Sequence, residues 1–271
     1  MSREARAVPV RCLLAAFVLM QPRVSSTEPV AVRQTEGVVH GFLILRTLAG
    51  ETLADGDLIQ TVRGNRVTTR LVFHFRDGSL HDETTVFTQR REFRLVSDHL
   101  VQRGPTFPHA LDARVDATNG HVVVRYTDDG KEKIEDERMK VPRDLANGLV
   151  PTLLKNLRPD APPSKVSMLA ATPKPRLVTL EIQRTGEDAF SVGGSSRKAT
   201  RYVVKVQIGG VTGLLAPLVG KQPPDTSVWI LHGEAPAFVR SEGPLYVGGP
   251  VWRIDLVSPA WPAAAEATGS H

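Results

Sequence analysis

From Gly37 to Met139 apolar and polar residues alternate in short runs closed by turn signals, a period of two that predicts β-strands. The runs are Val38–Leu48, Asp57–Val62, Arg66–Phe75, Ser79–Gln89, Glu92–Gln102, Ala110–Asp116, His121–Tyr126 and Lys131–Met139. Asp77-Gly78, Asn119-Gly120 and Asp129-Gly130 separate neighbouring runs, and such pairs favour tight hairpins. The pattern then changes to a helical one. Leu145, Leu149, Leu153 and Leu157 recur four apart with Leu154 beside them, which predicts one apolar stripe on a helix over Arg143–Leu157. Pro151 is expected to kink this helix, and Pro159, Pro162 and Pro163 to end it. A second β region follows: Lys165–Ala171, Arg176–Gln183, Lys198–Ile208, Thr226–Leu231, Ala237–Arg240 and Val251–Val257. The fold class expected is mainly β: an antiparallel, strongly curved sheet or open half-barrel with one kinked helix packed against it.

The chain is long enough for one large β domain or two small ones. A single β-rich domain over residues 36–259 is the expected organisation, with a possible sub-boundary at the Pro-rich 159–163. The polar stretch 27–35 is expected to be flexible and the small, polar stretch 260–271 disordered.

The first 26 residues change the reading of composition. Arg3, Arg6 and Arg11 precede the apolar run Cys12–Met20, and Val24-Ser25-Ser26 supplies short side chains for a signal peptidase. Residues 1–26 thus read as a signal peptide, with Thr27 the expected mature start. Nine apolar residues would rise only about 14 Å as a helix, too little for a hydrocarbon core of about 30 Å. No transmembrane span is expected after cleavage, and the location expected is the periplasm, the cell surface or the medium. Cys12 is the single cysteine, so the mature chain would have no disulfide, thiolate metal site or Cys nucleophile. The segment carries four arginines and one glutamate, so its loss lowers the formal charge from +5 to +2. The remaining arginines are interleaved with acids, which argues against nucleic acid as a partner.

Three constellations suggest chemistry. If Asp77-Gly78 is a two-residue turn, His74 lies opposite His81 with Glu83 on the same face, a possible site for a divalent metal. If Arg90-Arg91 is a second such turn, Asp82 faces His99 beside Ser97, an acid–base–hydroxyl set of the kind nucleophilic catalysis uses. No G-x-S-x-G elbow supports it. Gly193-Gly194-Ser195-Ser196-Arg197-Lys198 has glycines and a lysine, but strand-like flanks make it a hairpin loop instead of a phosphate loop. No cofactor is called for. The more suggestive feature is apolar: Val211–Val219 contributes Leu214, Leu215 and Leu218, and Trp229, Phe238 and Trp252 follow. Together these six are the expected lining of an apolar cavity, closed by the Leu145–Leu157 stripe.

Several stretches carry a family resemblance: Gly41–Val62, RLVFHFRDGSLHDETTVF, YTDDGKEK, DLANGLVPTLLKNLRPDAP, GGSSRKATRYVVKVQIGG and VWILHGEAPAFVRSEGPLY. In these the chain resembles uncharacterised secreted bacterial β-rich proteins. The last stretch is more loosely similar to exported proteins related to the lipoprotein carrier LolA, in which a late Trp-bearing strand is followed by a return strand. That likeness implies an unclosed barrel that binds lipid or acyl groups in its concavity, and transfers no residue. The function expected is an exported, non-enzymatic protein that binds an apolar, lipid-like ligand or an envelope protein partner. The alternative is a metal-dependent exported enzyme using His74, His81 and Glu83.

Overall fold

In a computed structural model, residues 27–158, 160–172, 174–192, 195–207 and 223–257 are described. The first eight strands are β1 Val39–Thr47, β2 Thr52–Arg63, β3 Arg66–Phe75, β4 Leu80–Gln89, β5 Phe93–Arg103, β6 Leu111–Asp116, β7 His121–Asp128 and β8 Lys131–Arg138. Helix α1, Val150–Asn156, separates them from β9 Ser164–Ala170, β10 Arg176–Val192, β11 Ser195–Gln207, β12 Thr226–Leu231, β13 Ala237–Pro244 and β14 Val251–Val257. The sheet is antiparallel and continuous, in the order β8-β7-β6-β5-β4-β3-β2-β1-β14-β13-β12-β11-β10-β9, and it does not close. Strands from before and after 159–163 therefore share one sheet, joined where β1 pairs with β14.

Alternation puts one face of each strand inward. Val67 and Phe87 of the first half, Val122 and Val124 beyond them, and Val166, Ile182, Tyr202 and Ile230 of the second half belong to one buried cluster. Leu145, Leu149, Leu153 and Leu154 join it, so the predicted leucine stripe does meet the concave side. Its backbone differs from expectation. Helix α1 is only seven residues long, with Pro151 in its first turn, where a missing N–H costs nothing. Proline therefore starts this helix instead of kinking it. Residues 144–147 run beside β9 and cap its outer edge: Asp144 Oδ2 accepts from Ser167 N at 2.7 Å, and Asn147 exchanges two hydrogen bonds with Leu169.

The 27–35 stretch, expected to be loose, is tied down at both ends. Glu28 N donates to Lys165 O of β9, Val32 N to Arg91 O, and Val30 is buried. Further on, Glu36 accepts from Lys155 Nζ at 2.6 Å and Gln60 Nε2 at 3.0 Å, while Gln89 pairs with its backbone. Sequence polarity signalled a coil; it did not reveal that buried amides were waiting for these backbone groups. Asn156 is the knot of the strap. Its Oδ1 accepts from Arg33 N and Gln34 N, its Nδ2 donates to Thr152 O, and it is 1% exposed. Asn156→Ala would strand these groups, and is expected to destabilise by about 3 kcal/mol, read as a lower urea midpoint with unchanged slope.

Candidate functional site

The hairpin at Asp77-Gly78 decides which side chains face inward. Phe75 pairs with Ser79 through Phe75 N→Ser79 O at 3.0 Å, leaving a three-residue loop of Arg76, Asp77 and Gly78. Gly78 takes a φ of 83°, the left-handed residue of a type I turn with a bulge, and Asp77 Oδ1 accepts from Ser79 N. The extra loop residue shifts the register by one. His74 pairs with Leu80, Phe73 pairs with His81, and a one-residue slip sends a side chain to the opposite face. His74 is exposed on the convex side while His81 and Glu83 face the concave side. The expected His74–His81–Glu83 metal set is not brought together. Among the described residues no group of three or more His, Cys, Asp or Glu side chains is placed to hold a metal ion.

The second hairpin also departs from its expected register. Thr84, not Asp82, lies opposite His99, and a bulge follows at Val86/Phe87. Asp82 is held by Arg70 in a two-pronged pair at 3.0 and 2.6 Å, which keeps its carboxyl below the usual range. His99 instead bonds Asp112 at 3.0 Å. Ser97 and His99 line an open depression of about 390 Å³ on the convex face with Arg114, His121 and Arg125, and His121 has its own partner in Asp136. Each imidazole there is already engaged with a carboxylate, and Ser97 is not hydrogen-bonded to either.

The expected cavity lining divides as well. Leu214, Leu215 and Leu218 lie outside the described residues. Trp229 faces outward, where it packs with Phe190 and Val239 and donates from Nε1 to Asp188 Oδ2 at 2.6 Å. Phe238 and Trp252 face inward. Trp252 is committed to a ring of four aromatics, 5.8 Å from Phe75 and 5.9 Å from Tyr246, with Phe107 completing the circuit.

What sequence reading missed is a polar inlay in the concave wall of β4 and β5. His81, Glu83 and Thr85 project inward from β4, and Gln102, Leu100 and Asp98 lie directly opposite them on β5. Two covers reach this wall. Gly148, just before α1, presses on Thr85 so closely that a Cβ there would fall 1.8 Å from Thr85 Oγ1. At the other end the β13–β14 connection supplies Leu245 O, which accepts from Gln102 Nε2 at 2.9 Å. Between the covers runs the row Leu58, Leu71, Glu83 and Leu100, contributed by β2, β3, β4 and β5 and half-buried throughout. Gly41 of β1 continues it beside the exposed Leu256. Five strands at sheet spacing give this strip a length of roughly 19 Å.

The electrostatics follow from burial without counter-charge. Poor solvation, and then the charge of Asp98, push the Glu83 carboxyl up to about 8. Burial raises Asp98 to about 6 against the opposing hydrogen bond from Thr85 Oγ1 at 2.8 Å. Burial likewise depresses His81 to about 4, so its ring is neutral at pH 7. Glu83 has no hydrogen-bond partner among the described residues, and His81 Nε2 is sealed from solvent with none either. The hairpin register, signalled only by the glycine in the third loop position, turned these side chains inward.

No family model matches the chain, and no curated protein matches it. A solved structure, described as a β-barrel-like protein of domain of unknown function DUF1849 from Brucella abortus, is similar over 83% of this chain and 98% of that one. The identity is 10% and the TM-score 0.45. No helix among the described residues is long and apolar enough to cross a membrane.

Proposed function

We propose that this is an exported, non-enzymatic binding protein that holds a lipid-like ligand along the concave face of its open sheet. The observation that carries the reading is the half-buried strip Leu58–Leu71–Glu83–Leu100, apolar except at one point and left between two covers. Apolar surface that the fold does not bury favours an apolar occupant by about 25 cal/mol per Å² covered. Export is supported by the basic and apolar halves of residues 1–26, and carriage by the looser LolA likeness of the region around Trp229. The seat differs from the one expected from sequence, since Trp229 lies on the other face and Trp252 stacks within its own aromatic ring.

Native mass spectrometry of the mature chain, followed by titration with a fluorescent long-chain lipid, tests this. Bound lipid, or saturable uptake at one site per chain, is the expected result. Leu71→Glu with Leu100→Glu would place charge on the strip and is expected to weaken uptake at least tenfold, in line with about 1.4 kcal/mol per decade. A wild-type protein that takes up no lipid overturns the reading.

A further inference from the structure

The strip has one polar interruption, and its hydrogen-bonding pattern selects a head group. Leu245 O can only accept, so the Gln102 nitrogen must point at it, and the same nitrogen lies 3.1 Å from His81 Nδ1. Nδ1 is therefore the acceptor of a neutral ring and the proton is on Nε2, at the far end of the ring on the concave side. That N–H is buried on a residue 3% exposed and has no partner among the described residues. Buried donors in native proteins are satisfied as a rule, so an orphan of this kind points to an acceptor that the described residues do not supply, one that enters only as the packing over the ring gives way. Two residues along the same face stands Glu83, also unpartnered among the described residues, with Asp98 diagonal to it across the strand pair.

We propose that the ligand's head group is uncharged and oxygen-bearing, as in a monoacylglycerol, and is held by His81 Nε2–H and the Glu83 carboxyl while its acyl chain lies along Leu71, Leu58 and Gly41. The inference rests on the carrier reading above and sharpens it. Charge disfavours one of the two other common heads and hydrogen bonding the other. A carboxylate head would meet Asp98 in a poorly solvated place where no cation acts on either acid. An ammonium head has donors only and would leave the His81 N–H unsatisfied. A hydroxyl both accepts from His81 and donates to a carboxyl oxygen, and so answers every open valence of the site.

The test compares three amphiphiles sharing one acyl chain, namely monooleoylglycerol, oleate and oleylamine, by displacement of a bound fluorescent lipid at pH 7 from the mature protein. The glyceride is expected to bind at least about tenfold more tightly than either charged probe, the worth of one or two buried hydrogen bonds. His81→Phe keeps the ring against Phe73 and removes the donor; it should hold or raise the melting temperature and narrow the glyceride's advantage to less than about threefold. Glu83→Leu should narrow it too, with Glu83→Gln restoring most of the advantage. Three probes binding alike, a charged probe binding best, or a preference untouched in His81→Phe would overturn the head-group assignment and leave the carrier reading standing. No binding of any probe would overturn both.

Discussion

Gly148→Ala should unfold this protein more readily than most single substitutions, by about 3 kcal/mol, a fall of roughly 6–12 °C in melting temperature for a domain of this size. Two independent costs add. Gly148 has a φ of 63°, where a Cβ is strained by about 1–2 kcal/mol. That Cβ would also lie 1.8 Å from Thr85 Oγ1 and 2.9 Å from Thr85 Cβ, so the segment leading into α1 must lift from β4. Lifting it disturbs the leucines that join the two halves of the sheet, since Leu145, Leu149, Leu153 and Leu154 share one cluster with strands from each. Thermal melts of Gly148→Ala alone and with Thr85→Ala separate the two costs. The double variant should regain the steric part and keep the backbone part; equal melting of wild type and Gly148→Ala would contradict the close approach.

Glu83→Gln should do the reverse, stabilising the unliganded protein by an amount that depends on pH. Glu83 and Asp98 have folded values above their unfolded ones, so at low pH both are protonated in either state and neither contributes. As pH rises past the ordinary carboxyl range the unfolded chain ionises first, and stability drains away until Glu83 ionises in the fold near pH 8. His81 works oppositely: its folded value near 4 lies below the usual 6.5, so its contribution is complete above pH 6.5 and is lost as pH falls toward 4. Between pH 6.5 and 8 only Glu83 acts of these three. Denaturant titrations there should show wild-type stability falling with pH and the Glu83→Gln curve nearly flat. The variant would lead by on the order of 2 kcal/mol at pH 8 and by little at pH 5. A gain of the same size at both pH values would assign the effect to packing instead of ionisation.

Much of this architecture was legible because alternation is a local property. All eight strands before the helix and all six after it are read, Val251–Val257 at its full length, although β2 begins five residues before the expected Asp57 and β10 runs nine past the expected Gln183. Register is another matter, since it depends on how many residues the loop absorbs. Asp77-Gly78 marked a hairpin correctly, yet Arg76 also belongs to the loop, and that single residue placed His74 outside and His81 inside. At the second hairpin a three-residue loop and the bulge at Val86/Phe87 together shift the register by two, so Asp82 and His99 keep one face but no longer pair. The helix erred through Pro151, whose lost N–H is harmless at the start of a helix and costly in its middle. The polar inlay stayed hidden for a physical reason: a histidine and two acids on the inner face contradict the polar-out rule, and only the fold reveals the contradiction.

The meeting of β1 with β14 also has a kinetic side. Phe42 finds its partner Val257 more than two hundred residues further along, so the two halves of the sheet are joined only when the last strand is in place. That pairing is the slow one to form, because its loop must close before the pairing rewards it, whereas the other twelve join strands consecutive in sequence. The two meanders can therefore form one after the other as the chain emerges, and their joining waits for the last strand.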